Sequence, residues 1–152
     1  MRGVYSVSAD IDTVTSAKTL LYITVPSTCV IEILSASITN RNNVTNQQLD
    51  CGLFRVTSLG TPTTSSTPTP VKSEASDASS ACTVKADVTA SEPTYNSIGI
   101  DEQGVSSLAG YRYDPMPEER PIIAPGITVG LRLTTAPTSF NATAKIVWRE
   151  IG

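Results

Sequence analysis

Apolar and polar residues alternate over much of this chain. Near the C-terminus every second position is apolar, at Phe140, Ala142, Ala144, Ile146 and Trp148. The same two-residue period recurs over residues 127–133, 84–90 and 5–11. Because successive side chains of a β-strand point to opposite faces, this pattern predicts strands that each bury one face.

Two further segments, "TLLYITV" at 19–25 and "CVIEILSASIT" at 29–39, are apolar on both faces. Such segments are typical of central strands or of strands that lie under a second layer. Pro26 and Pro125 each stand shortly before an apolar run. Because proline cannot donate to a sheet ladder, we interpret both prolines as strand entrances.

Turn residues separate the predicted strands at intervals of roughly 8 to 12 residues, a spacing typical of β-sandwiches and barrels. The best helix candidate is a single turn capped by Ser76 or Asp77. We therefore predict an all-β fold, a single β-sandwich of jelly-roll type with about eight to ten short antiparallel strands. At most one short helical turn is expected.

The chain has 152 residues, a length that suits one domain over residues 1–152. Residues 59–71 are rich in Pro, Ser and Thr and have little apolar area to bury. This composition predicts a long surface loop that its prolines hold extended. Residues 1–5 are predicted to form a short N-terminal arm.

Composition adds a statement about the surface. Only 16% of the residues are charged, against roughly 25% in a typical soluble domain, while Ser and Thr number 18 and 21. Neighbouring subunits can cover such a surface at low desolvation cost, although an isolated Thr-rich sandwich has the same composition. The net charge is −3 and the basic residues are scattered, so we expect no nucleic-acid partner and no membrane partner.

The chain contains no histidine, which excludes Ser-His-Asp and Cys-His catalysis. Its three cysteines, Cys29, Cys51 and Cys82, lie far apart, which argues against a disulfide framework and against a zinc site. We interpret them as small buried side chains in a reducing cytoplasm. We predict no metal, no cofactor and no enzymatic activity.

Three close pairs of carboxylates occur in the sequence, at Asp10 and Asp12, Asp101 and Glu102, and Glu118 and Glu119. A glycosidase needs two carboxyl groups that face each other across a cleft, and a calcium site needs several converging oxygens. Neighbouring acidic residues are more often solvated surface charge, and we interpret these pairs in that way.

The tyrosines supply the most distinctive candidates for contact with a partner. Tyr111 and Tyr113 share one face of a short strand beside a loop, with Arg112 between them. Exposed tyrosines suit an interface anchor or a sugar-binding platform. The candidate contact residues are Tyr5, Tyr111, Tyr113, Arg112, Ile31 and Ile33.

The two ends of the chain carry a resemblance to a known family. They read "VYSVSADIDTVTSAKTLLYITVPSTCVIEILSASI" at 4–38, "AGYRYDPMPEERPIIAPGITVGLRLTTAP" at 109–137 and "AKIVWREI" at 144–151. The aromatic "GYRY" segment, the Pro-Gly strand entrance and the final "IVWREI" strand resemble small jelly-roll head-decoration, or cement, proteins of tailed bacteriophages. The Ser/Thr/Pro-rich middle of the chain lies outside the resemblance.

This resemblance implies a structural virion protein that is assembled in the host cytoplasm and placed on the outer capsid surface. Its partners would be itself, as a homotrimer, and the major capsid protein, whose neighbouring copies it would bridge. Threefold contacts would also explain why residues 29–39, with Ile31 and Ile33, are apolar on both faces.

The alternative is a carbohydrate- or receptor-binding β-sandwich module of a phage tail or surface structure. Exposed side chains at Tyr111 and Tyr113, together with Ser/Thr-rich loops, would serve such a module. The sequence leaves head and tail locations open.

Overall fold

The predicted strands are present in a computed structural model, which describes residues 3–152, as two antiparallel sheets packed face to face. In chain order they are β1 (Gly3–Val14), β2 (Lys18–Thr24), β3 (Val30–Asn40), β4 (Gln48–Ser58), β5 (Thr63–Ser66), β6 (Val71–Lys72), β7 (Thr83–Ala90), β8 (Thr94–Tyr95), β9 (Asp101–Ser106), β10 (Tyr111–Tyr113), β11 (Ile122–Ile123), β12 (Thr128–Leu133) and β13 (Phe140–Ile151). The first sheet contains β1, β3, β6, β10, β11 and β13. The second sheet contains the other seven strands.

Eight of these strands are arranged as a jelly roll. The first pairs with the last, β1 with β13, and the pairs β2–β12, β3–β10 and β4–β9 are nested inside it. All four pairs are antiparallel, as in one long hairpin wrapped into a sandwich. Two further antiparallel pairings, β13 with β3 and β12 with β4, join these four pairs into the two sheets. The predicted all-β sandwich of jelly-roll type is therefore confirmed.

Two predicted irregular segments lie partly in strands. The predicted loop 59–71 contains β5, which pairs with β7, and ends at the start of β6, which pairs with β1. Ladder hydrogen bonds need only backbone groups, so a segment poor in apolar side chains still forms an edge strand. Of the predicted arm 1–5, residues 3–5 begin β1, and Met1 and Arg2 lie outside the described residues.

Helical structure is confined to one 3-10 turn over Pro117–Glu119 within residues 3–152. The turn predicted at Ser76 or Asp77 is a hydrogen-bonded turn in which the Asp77 amide donates to the Glu74 carbonyl at 3.1 Å, and it does not continue into a helix. Proline fixes φ near the helical value, which suits Pro117 at the first position of the observed turn. Across the described part of the chain, no helix has the length and apolarity needed to cross a membrane.

The core lies between the two sheets and follows the predicted alternation. All five apolar positions of β13 are buried, and Trp148 packs against Tyr5 with ring centroids 5.9 Å apart. Leu21, Ile23 and Leu131 of the second sheet are likewise fully buried. Burial of one side chain of this size is worth about 1.5–3 kcal/mol, so the alternating positions supply most of the stabilisation.

A β-bulge explains the two apolar faces of residues 29–39. Val147 of β13 pairs with Ser35, but the next residue, Trp148, pairs with Ile33. Leu34 is therefore an extra residue in β3. The inward-facing positions are odd-numbered before it, at Ile31 and Ile33, and even-numbered after it, at Ala36 and Ile38. The second apolar face arises from this shift in register.

The carboxylate of Glu150 is fully buried and serves as an acceptor for the connection between β6 and β7. The Ser80 hydroxyl and the Ala81 amide donate to it, the latter at 3.1 Å, and Trp148 Nε1 donates at 3.4 Å. Burial alone would raise the pKa of Glu150, but hydrogen bonds from Ser80, Ala81, Trp148 and Cys82 outweigh it and hold the pKa below its ordinary value.

We expect Glu150→Ala to lower the free energy of unfolding by about 2–4 kcal/mol, because it leaves buried donors without an acceptor. Urea unfolding monitored by the fluorescence of the single tryptophan, Trp148, measures this change. The matched control is Glu118→Ala in the exposed 3-10 turn, with an expected change within about 0.5 kcal/mol. Equal stability of the two variants would contradict the role of Glu150.

The same pair of variants tests the pH dependence of stability. Since the folded-state pKa of Glu150 is lowered, its contribution is complete above the unfolded-state value of about 4.3 and is lost as the pH falls through the folded value. Wild type and Glu118→Ala should therefore lose more stability on acidification than Glu150→Ala. Parallel acid profiles for all three would count against the hydrogen-bonded carboxylate.

Candidate functional site

Four of the six predicted contact residues belong to the core, and their prediction as contacts was wrong. Tyr5, Ile31 and Ile33 are 0% exposed and Tyr111 is 1% exposed. Each lies on the inward face of its strand. The Tyr111 hydroxyl is satisfied internally, because it donates to Asp101 Oδ2 at 2.8 Å. Burial, followed by this carboxylate, raises the pKa of Tyr111.

The other two predicted contact residues lie at the surface to different degrees. Arg112 projects to solvent, with its side chain 81% exposed beside Asp114. Tyr113 is half-buried and packs against the core. Arg112 is thus the one predicted contact residue whose side chain is largely exposed, and its role in binding a partner stays a prediction.

The carboxylate pairs do not converge on a common cleft. Arg41 Nη1 binds Asp12 at 2.8 Å and Arg41 Nε lies 3.8 Å from Asp10. Asp101 accepts the Tyr111 hydroxyl, whereas Glu102, on the other face of β9, accepts the Gly99 amide at 3.0 Å. Glu118 and Glu119 are exposed in the 3-10 turn. Within residues 3–152 no three Cys, Asp or Glu side chains are grouped so that they could hold a metal ion.

Part of the outer side of the first sheet forms a surface that we call the open face. Three rows of paired residues cross it, and none of their side chains is buried. The rows are Ser6–Val147–Ser35, Ser8–Lys145–Ser37–Arg112 and Asp10–Thr143–Thr39. The polar positions of the alternating pattern supply nearly all of them, since residues two apart along each strand share this face. A fourth row on the same side, Val4–Arg149–Glu32, carries the ion pair between Arg149 and the buried Glu32 and is not part of the open face.

Small hydroxyl side chains dominate the open face, because six of its ten residues are Ser or Thr. A shallow depression of about 380 Å³ crosses it, lined in part by Ser35, Ser37, Arg112 and Lys145. Three of the ten residues are charged, Asp10, Lys145 and Arg112, and the two cations lie on either side of Ser37 in the middle row.

The outer side of the second sheet is covered by the connection between β7 and β9, which contains β8. Tyr22 and Phe54 point outward from their strands yet are 2% and 3% exposed, because this connection lies over them. The Tyr95 ring crosses β12 at Gly130, where a Cβ atom would lie 2.4 Å from the Tyr95 hydroxyl oxygen. Glycine is therefore required at position 130 for this covering to pack.

Hydrogen bonds attach the covering connection to the sheet. Glu92 accepts the Thr19 amide at 3.0 Å and the Thr19 hydroxyl at 2.6 Å. The Thr19 and Tyr95 hydroxyl oxygens are 2.6 Å apart. Because the Thr19 hydroxyl gives its only proton to Glu92, Tyr95 is the donor in this second bond. Burial is the main cause that raises the pKa of Tyr95, to about 12, so the hydroxyl keeps its proton at neutral pH.

Arg132 lies at the border of this covered region. Its guanidinium carbon is 4.6 Å from the centre of the Tyr95 ring and 5.5 Å from that of Phe54. The sequence alone did not identify this cluster. Gly130 and Arg132 occupy ordinary polar positions in "TVGLRL", and no local pattern connects them with Phe54 or Tyr95.

No protein-family model, no curated protein and no solved structure matches this chain. The class that the fold defines is a jelly-roll β-sandwich. Its two outer faces differ, because one is open and the other is covered and carries a polar cleft beside Arg132.

Removal of the Tyr95 hydroxyl tests the attachment of the covering connection. We expect Tyr95→Phe to lower the free energy of unfolding by about 1 kcal/mol, because one partly buried hydrogen bond is lost. Tyr113→Phe is the matched control, since the Tyr113 hydroxyl makes no hydrogen bond within residues 3–152, and it should change stability by less than about 0.5 kcal/mol. Urea unfolding measures the stability of both variants, and equal changes in the free energy of unfolding would contradict the Thr19–Tyr95 hydrogen bond.

Proposed function

We propose that this protein is a structural virion protein, a capsid decoration protein that trimerises on the outer surface of a phage head. In this proposal the open face is the surface through which copies of the chain bind one another. The resulting trimer bridges neighbouring copies of the major capsid protein. The observation that carries the proposal is the open face itself, whose ten side chains on β1, β3, β10 and β13 are all partly or fully exposed.

The chemistry of the open face supports association at low cost. Ser and Thr side chains lose little rotamer freedom when they are covered, whereas each long flexible side chain costs about 0.5–1.5 kcal/mol to immobilise. Seven of the ten residues are uncharged, and Val147 adds apolar area near the middle of the face. These properties fit a surface that is covered in the assembled particle.

The alternative is a carbohydrate- or receptor-binding module that uses Tyr111 and Tyr113 as an exposed binding surface, and the structure does not support that surface. Tyr111 is a core residue and Tyr113 is half-buried, so the two rings do not form an exposed sugar-binding surface. A binding role for this protein would need a different site on the molecule.

The substitution Ser37→Arg tests the proposed interface. It introduces a third cation between Lys145 and Arg112 and fills the middle row of the open face. We expect wild type to be a trimer by size-exclusion chromatography with light scattering, and the variant to associate at least about tenfold more weakly. Ser58→Arg, at an exposed position of β4 in the second sheet, is the matched control and should remain a trimer.

Binding to capsids is tested by co-sedimentation with preformed shells that lack a decoration protein. Wild type and Ser58→Arg should sediment with the shells, and Ser37→Arg should stay in solution. A monomeric wild type that does not bind shells would overturn the proposal. A Ser37→Arg variant that trimerises normally would remove the open face from the interface.

A further inference from the structure

We propose that the cleft beside Arg132, on the outer side of the second sheet, binds a neutral saccharide. The cleft has a volume of about 630 Å³, within the range of about 300–1,000 Å³ that is usual for small-molecule sites. The residues that carry the proposal are Arg132, Asp50, Glu102, Asn96 and Ser97, all of which line the cleft. The site is on the sheet opposite to the open face, so this proposal does not depend on the proposed function.

Arg132 presents a fixed and unused set of hydrogen-bond donors. Contacts of its guanidinium with the Tyr95 and Phe54 rings hold its plane in one orientation. Its Nε atom is buried without a hydrogen-bond partner, and within residues 3–152 the guanidinium forms no ion pair. The other guanidinium N–H groups of Arg132 form no hydrogen bond or ion pair within residues 3–152, and they are the donors that a ligand in the cleft can use.

The opposite wall of the cleft carries acceptors. Arg132 and Glu102 flank Gly52 in one row of paired residues, so no side chain separates them. Their backbones are two strand spacings, about 9.6 Å, apart. The two side chains form no ion pair across this gap, so a ligand can lie between them. Gly52 itself is required by the close approach of β9, because a Cβ atom there would lie 2.2 Å from the Asp101 carbonyl oxygen.

Asp50 adds a second carboxylate next to this row. It pairs with Gly104 of β9, and the Asp50 side chain accepts no hydrogen bond from any residue within 3–152. Glu102 uses one oxygen for the Gly99 amide and keeps the other. The cleft therefore combines one fixed cation with two carboxylates that have free acceptor sites.

This combination suits a ligand whose groups both donate and accept hydrogen bonds. An anion that binds Arg132 is repelled by Asp50 and Glu102, and a cation that binds the carboxylates is repelled by Arg132. A sugar hydroxyl both donates and accepts, so neighbouring hydroxyls of a neutral saccharide satisfy the carboxylates and the guanidinium together. The Asn96 amide and the Ser97 hydroxyl, which also line the cleft, can bind further hydroxyls.

A glycan array tests the proposal, with neutral hexose and N-acetylhexosamine oligosaccharides beside sialylated and uronic-acid glycans as probes. We expect wild type to bind at least one neutral glycan saturably. Calorimetry with that glycan should show affinity at least about tenfold lower for Arg132→Met and for Asp50→Asn, because each removes a charge-assisted hydrogen bond. Arg55→Met, which removes an exposed arginine of β4 that does not line the cleft, is the matched control and should bind as wild type does.

Two design features keep the test decisive. Methionine retains apolar contact with the Tyr95 and Phe54 rings, and asparagine has nearly the shape of aspartate, so thermal unfolding should show that both variants fold. Absence of binding across the array would overturn the proposal. So would binding that survives both cleft variants, or binding confined to acidic glycans and strengthened by Asp50→Asn, which would mark an anion site.

Discussion

The fold depends on the pairing of the first strand with the last. β1 and β13 pair from Gly3–Glu150 to Val14–Phe140 in the middle of the first sheet, so the nested jelly-roll pairs are enclosed by contacts between the two ends of the chain. Such contacts have the largest possible sequence separation, and their loop-closure entropy must be offset by the apolar faces that the pairing brings over the core. The same register aligns Val147 and Lys145 with their partners on both sides, and thereby creates the rows of the open face.

The two outer faces follow from where the chain places its additional strands. The connection between β4 and β9 forms β5 to β8. Of these, β5, β7 and β8 join the second sheet, where the Tyr95 ring of β8 lies over Gly130 of β12, and β6 extends an edge of the first sheet. The second sheet thus gains a small aromatic and polar cluster on its outer side, whereas the outer side of the first sheet carries an ion-paired cluster of Glu32, Arg120 and Arg149 beside the open face. A jelly roll needs only its inner faces for stability, so the outer faces are available for different roles. Association through the first sheet and ligand binding at the second would not interfere with each other.

Much of the fold was predictable from sequence, because alternation with period two directly records which side of a strand is buried. The apolar positions of β13 were identified in this way, residue by residue. Tyr5 and Tyr111 were wrongly predicted to lie at the surface, because a tyrosine has both an apolar ring and a polar hydroxyl. The sequence pattern does not reveal that the Ala78 carbonyl and the Asp101 carboxylate accept hydrogen bonds from these hydroxyls within the protein. The Arg132 cleft was not predictable, since strands distant in sequence build it and only their register brings them together. The Leu34 bulge was hidden for the same reason.

Polar groups inside this protein show how the cleft differs from the rest of the molecule. The buried carboxylate of Glu150 receives several donors, and Thr19, Glu92 and Tyr95 satisfy one another. Within residues 3–152 two buried side-chain nitrogens lack a hydrogen-bond partner, Nε of Arg120 and Nε of Arg132. Arg120 retains an ion pair with Glu32, at 3.7 Å, whereas Arg132 has only aromatic rings beside it and an open cleft in front. The cleft therefore offers hydrogen-bonding groups that the protein does not use itself, whereas the buried tyrosines Tyr5 and Tyr111 are satisfied inside the core.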